Sequence, residues 1–264
     1  MTNAAAAFST RSSERFDIGG VIADTFSIVG KNLPIFALLA VLGAVVPGSI
    51  FGAVNFKFTS ELQAPGAVAN FPAHALQASG TVLLGALLFL VGFLYLQAAV
   101  SAVVISQKEG TAAPNVAFAP WRHVLPLFGI LLLLGISVVL GLILLVVPGI
   151  IVALALSVAT PARVGERLGV FASLQRSWDL TRGFRWRIFL TILLLDVILG
   201  VGELVAALLK VVFHTSTATW SVAVTPFISG AVDILNFTAV AVIYCELRRI
   251  KENGSASNVA AAFS

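Results

Sequence analysis

Three carboxylates sit in stretches otherwise almost free of charge: Asp196 and Glu203 in one apolar run, Asp233 in the next. A carboxylate at the centre of a membrane helix costs about 2.5–3.5 kcal/mol, so each needs a physical reason. Asp196 and Glu203 are seven residues apart, which places them on one face of a helix. Counted by helical rise, Glu203 and Asp233 both lie about 22 Å from the same end of their helices, with Asn236 close by in projection. Two chemistries fit. The carboxyls can share a proton in a hydrogen bond that ties helices together, or they can line a wet cavity that handles cations or protons. No Lys or Arg lies within the membrane beside them, and Lys210, at the outer end of its span, is the nearest candidate to neutralise them.

A second constellation is basic and aromatic. Arg176, Arg182, Arg185 and Arg187 are interleaved with Trp178, Phe184 and Trp186, immediately before the run that holds Asp196. Arg offers paired donors to phosphate oxygens. Mixed aromatic and basic residues also form the usual anchor at a membrane–water boundary. Arg176, Arg182, Arg185, Trp186 and Arg187 are therefore candidates for binding a lipid headgroup or a partner. Other chemistry is poorly supplied. The three histidines (His74, His123, His214) lack metal-ligand spacing, and there is neither a GxSxG elbow nor a phosphate loop. The single cysteine, Cys245, excludes an internal disulfide and a CxxC metal cluster. No catalytic residue, metal or cofactor is expected.

These residues must be positioned by membrane helices. The chain of 264 residues is 59% hydrophobic and only 11% charged, with a mean hydropathy of +1.02. Soluble domains carry roughly a quarter charged residues. Apolar runs predict spans at about 32–54, 81–106, 124–146, 149–165, 188–211 and 226–247. The tract from Val124 to Thr160 would make a helix of about 55 Å, too long for a hydrocarbon core of about 30 Å. Pro148-Gly149 is the expected break. Residues 1–13 read as a disordered tail, 14–250 as the membrane domain and 251–264 as a mobile, polar tail. The start lacks the build of a cleavable signal peptide, so the first span is expected to direct insertion.

Threaded this way, fourteen of the sixteen Lys and Arg residues fall on one side, leaving only Lys57 and Lys210 on the other. Orientation follows such bias in short flanking loops, so both termini are expected in the cytoplasm. The pI of about 9.6 then reflects attraction to anionic lipid headgroups and not to nucleic acid.

Two segments outside the spans carry apolar stripes at helical spacing. One is Ile18, Val21, Ile22, Thr25, Phe26 and Val29; the other is Leu168, Phe171, Leu174 and Trp178. Each predicts an amphipathic helix on the cytoplasmic surface, lying among acyl chains or packing on the bundle. An internal repeat links them. Val45-Val46-Pro47-Gly48-Ser49-Ile50 echoes Val146-Val147-Pro148-Gly149-Ile150-Ile151, and each amphipathic segment leads through a glycine (Gly30, Gly183) to an Ile-Phe pair. The unit is an amphipathic helix followed by a two-helix hairpin, expected three times, with Trp121-Arg122-His123 and Leu127-Phe128 before span three as a weaker third copy. The expected fold class is therefore all-α, a six-helix membrane bundle with cytoplasmic amphipathic helices.

Several of these motifs together suggest a family. Pro148-Gly149-Ile150-Ile151, the run Ser173-Leu174-Gln175-Arg176-Ser177-Trp178-Asp179-Leu180-Thr181-Arg182-Gly183, Trp186-Arg187-Ile188-Phe189 and the closing Tyr244-Cys245-Glu246-Leu247-Arg248-Arg249 resemble the glycerophosphoryl diester phosphodiesterase membrane-domain family. The likeness spans roughly residues 14–252 and concerns the membrane module only. That module is sometimes fused to a soluble catalytic barrel, for which six spans leave no room here. The resemblance implies a non-catalytic protein of the bacterial inner membrane, engaged in lipid or envelope homeostasis. Its expected partners are anionic lipids and a protein such as a separate phosphodiesterase. The alternative, from the carboxylates, is a transporter of a small cation or a proton-coupled solute.

Overall fold

In a computed structural model, residues 16–62, 71–110, 121–212 and 220–262 are described. The expected tail at 1–13 lies outside them. The chain is all-α and, among the described residues, has no strand. Hydrocarbon offers backbone groups no hydrogen-bond partners, and a helix satisfies its own. Helix α1 is Ile18–Lys31; α2 runs from Leu33–Ala40 through a π turn at Val41–Val45 into Val46–Leu62. Next come α3 (Phe71–Lys108), α4 (Trp121–Leu144), α5 (Val146–Leu156), α6 (Ala159–Glu166) and α7 (Val170–Thr181). The last two are α8 (Arg185–Val212) and α9 (Thr225–Ala262), the latter entered through a π turn at Trp220–Val224.

Six stretches are long and apolar enough to cross a membrane: Leu33–Glu61, Gly80–Lys108, Val124–Ile143, Val146–Glu166, Arg185–Leu209 and Val222–Asn253. The protein is therefore a multi-pass membrane protein. The order short helix, long helix, long helix occurs twice, as α1–α2–α3 and α7–α8–α9. Helices α3 and α9 form the centre of the bundle. Leu96, Ala99, Val100 and Val104 of α3 and Ala241, Val242, Ile243, Tyr244 and Leu247 of α9 are all buried there. Helices α4 and α8 are peripheral, with only 11% and 6% of their most apolar windows buried.

Prolines shape the bends. Pro47 has no N–H to donate to Gly43, and the preceding π turn lets Val46 N–H reach back to Val41 O. The freed Gly43 carbonyl faces Gly92 of α3. A Cβ on Gly92 would lie 2.6 Å from that oxygen and 2.7 Å from Pro47 Cγ, so only glycine fits. The α4–α5 hairpin turns at Leu145, an extended residue (φ −170°, ψ 145°), three positions ahead of the expected Pro148-Gly149. Pro148 instead sits in the first turn of α5, where its missing N–H costs nothing. Gly149 is the close-approach residue of this hairpin: a Cβ on Gly141 would lie 2.8 Å from its Cα. The fourth span is broken at Ser157–Val158, between α5 and α6, because Pro161 cannot donate back to Ser157. At the other end of the chain, α9 runs on to Ala262, through the segment read as a tail. That stretch is rich in alanine and contains no proline to stop the helix.

Gly92→Ala is expected to destabilise the protein by about 1–3 kcal/mol through overpacking against α2. Gly135→Ala, at a position where a Cβ meets nothing within 4 Å, should not destabilise it. Unfolding of the two purified variants in detergent, followed by circular dichroism, checks the contrast.

Candidate functional site

The arginine-rich segment occupies α7 and the start of α8, at the end of the bundle that also carries α1 and the outer turns of α9. The orientation of α7 is set by hydroxyls. Helix α5 ends at Leu156, so Ala155 O is one of the terminal carbonyls left without an intrahelical donor. Ser177 Oγ donates to it at 2.8 Å, and Thr181 Oγ1, whose single proton has Ser177 O as a nearer acceptor at 2.9 Å, lies 3.2 Å from it. Ser173, Ser177, Leu180 and Thr181 are consequently the buried face of α7. The aromatic stripe is turned outward: Phe171 is 76% exposed and Trp178 41%. Helix α1 does the reverse. Its Val21, Thr25 and Ile28 are buried in the bundle core, so its stripe is mostly covered by protein. The two amphipathic helices of the repeat thus serve different ends.

The arginines divide in two. Arg176 belongs to an ion-pair chain that ties four helices together. Its Nε donates to Glu166 Oε1 of α6 at 2.8 Å, and its NH2 to Glu252 Oε1 of α9 at 3.3 Å. Glu166 Oε1 also accepts from the fully buried Tyr244 Oη at 2.9 Å. Arg248 extends the chain, donating to Glu252 at 3.0 Å and to Glu109, in the turn just after α3, at 2.8 Å. Lys108 pairs with Asp24 of α1, and Asn32 Nδ2 donates to Gln107 Oε1 at 2.8 Å. Part of this chain, with Asp24, Lys108, Glu109, Arg248 and Glu252, lines a cleft of about 630 Å³ whose walls also include Cys245 and Arg249. Its charges are already paired with each other.

The rest of the cluster faces outward or seals the junction. The Arg185 guanidinium lies 4.3 Å from the centre of the Trp178 ring. Its enclosed Nε has no acceptor among the described residues. Arg182 is exposed, and only its carbonyl is engaged, accepting from Lys251 Nζ at 3.2 Å. Trp186 is 70% exposed and stacks on Phe189 with ring centres 5.3 Å apart. Arg187 NH1 donates to Phe16 O at 3.2 Å, holding the entry to α1 against the start of α8. The outcome is a surface of Phe171, Trp178, Trp186, Arg182 and Arg185, with α7 secured behind it. The sequence did not single out Glu166, Tyr244 and Glu252 as the groups that secure it. Their partners lie 10 to 78 residues away along the chain, beyond the reach of local pattern.

The three intramembrane carboxylates do not form a common centre. Asp196 and Glu203 are exposed on α8, whereas Asp233 is half-buried on α9. No hydrogen bond joins Glu203 to Asp233. Among the described residues, no group of three His, Cys, Asp or Glu side chains is arranged to hold a metal ion.

If Arg176 is structural and Arg182 is not, Arg176→Ala should lower stability by about 1–3 kcal/mol while Arg182→Ala leaves it unchanged. Tyr244→Phe should cost about 1 kcal/mol, and less once Glu166→Gln is present. A double-mutant cycle on thermal unfolding measures that coupling.

Comparison of the chain with protein-family models, with curated proteins and with solved structures found no match.

Proposed function

We propose that this protein is a non-catalytic membrane module that binds anionic lipid headgroups at its basic end. The observation that carries this reading is the half-buried Arg185 stacked on the outward-facing Trp178, with no ion pair among the described residues, beside the exposed Arg182. An aromatic ring at the level of the headgroups and a guanidinium directed at phosphate is the arrangement that interfacial helices use. The indole holds the guanidinium in place, so less side-chain entropy is lost when a phosphate arrives.

The Lys/Arg bias supports a cytoplasmic basic end, with both termini inside, and a bacterial inner membrane is the setting that the family resemblance implies. That resemblance, to the glycerophosphoryl diester phosphodiesterase membrane-domain family, supports a role in lipid or envelope homeostasis. A separate phosphodiesterase recruited to the same face is the partner it suggests. The transport reading through Asp196, Glu203 and Asp233 has less support. A cation path needs convergent oxygens, and these three residues are spread over an exposed helix and a half-buried one.

Native mass spectrometry of the protein, extracted gently with its own lipids, tests the proposal. Retained anionic lipid should fall several-fold in Arg182→Ala/Arg185→Ala, while that variant unfolds at the wild-type temperature. Equal retention by the folded variant would refute it.

A further inference from the structure

The outer part of α8 carries a face that the bundle leaves bare. Ile188, Thr191 and Leu195 are buried, but from Asp196 to Val212 no described side chain is. Only Leu199 and Ala206 are half-buried, which marks the side turned toward the other helices. About a quarter-turn around the helix lies a different row: Leu193, Asp196, Gly200, Glu203 and Ala207. All five are exposed, and a Cβ on Gly200 would meet nothing within 4 Å.

The spacing of this row alternates three and four residues, the repeat of a seam between two parallel helices. Its composition fits the same purpose in a bilayer. Gly200 and Ala207 are small and seven apart, so a second backbone can approach closely. Asp196 and Glu203 bring hydrogen-bonding groups to two depths about 10 Å apart. Lipid chains offer them nothing. The nearest cations along α8, Arg187 and Lys210, are about 13 Å and 10 Å away by helical rise. Across the six spans, every Lys and Arg lies at or near an end.

We infer that α8 is the contact between two copies of this chain, paired in parallel along Leu193, Asp196, Gly200, Glu203 and Ala207. Two copies inserted in the same direction are related by a two-fold axis along the membrane normal. Each residue of the seam then faces its own counterpart at the same depth. A carboxyl that retains its proton is both donor and acceptor, which makes it self-complementary across such an axis, and burying the neutral acid is far cheaper than burying the charge. A foreign helix would have to carry basic groups at matching depths; a second copy already carries what the seam needs.

The test is energy transfer between donor- and acceptor-labelled copies of the full chain in phosphatidylcholine vesicles, over a wide range of protein dilution. Wild type should associate. Asp196→Leu/Glu203→Leu should weaken association about tenfold, the loss expected for two interhelical polar contacts of average strength. Asp196→Asn/Glu203→Gln should retain association, because an amide also donates and accepts. Gly200→Ile should weaken association by keeping the backbones apart. These side chains are exposed within one copy, so the variants should fold, and an unchanged unfolding temperature verifies that. A wild-type protein that is monomeric at every dilution overturns the inference, as does undiminished association of the leucine variant. So does a monomer that instead pairs with a synthetic leucine–alanine membrane peptide bearing two lysines seven residues apart, which would assign the seam to a foreign basic helix.

Discussion

The carbonyl of Ala155 is a small group on which much of the basic end depends. It lies in the last turn of a helix that ends inside the protein, and it cannot be left without a donor in a membrane. Ser177 supplies the donor, with the Thr181 hydroxyl packed beside it. Together they commit one face of α7 to the bundle, and a helix has only one opposite face. Phe171 and Trp178 must then point away, and Arg185, at the start of the next helix, comes to rest on Trp178. A stripe that would be core in a soluble helix is placed outside because a hydroxyl ladder has taken the inner position.

The ion pairs behind this surface have a different role from the arginines in front of it. Glu166, Arg176, Glu252 and Arg248 form a connected chain across α6, α7 and α9, with Glu109 bringing in the turn after α3. Isolated surface pairs contribute little, but a network that also satisfies a buried tyrosine hydroxyl is a firmer device. It fixes the ends of helices whose middles are held by apolar packing, including the glycine contact between Gly43 and Gly92. Among the described residues, the outer half of α8 has no ion pair and little apolar packing within one copy, and it carries Asp196 and Glu203, both exposed.

Much of the architecture was legible in the sequence. Six spans follow from apolar length, and the amphipathic helices follow from 3–4 spacing. The break in the tract after Val124 was expected at Pro148-Gly149 but falls at Leu145, because proline is at ease in the first turn of a helix and the extended residue precedes it. The segment after residue 251 looked like a tail by polarity, yet α9 continues through it. The candidate site was less legible. Arg176 looked equivalent to Arg182 and Arg185, since charge type and position are all that a local pattern supplies. Its role depends on Glu166 and Glu252, which only the fold brings within reach. Likewise, two segments with similar stripes behave oppositely because burial is decided by what the neighbouring helices offer.

The most direct measurement is the depth of Trp178. In a variant with Trp121, Trp186 and Trp220 replaced by Phe, Trp178 becomes the sole indole. Its fluorescence in vesicles should be quenched strongly by lipids brominated near the headgroup end of the acyl chain and only weakly by aqueous iodide. Efficient quenching by iodide with no effect of brominated lipid would contradict the account, because α7 would then face water and not the membrane boundary.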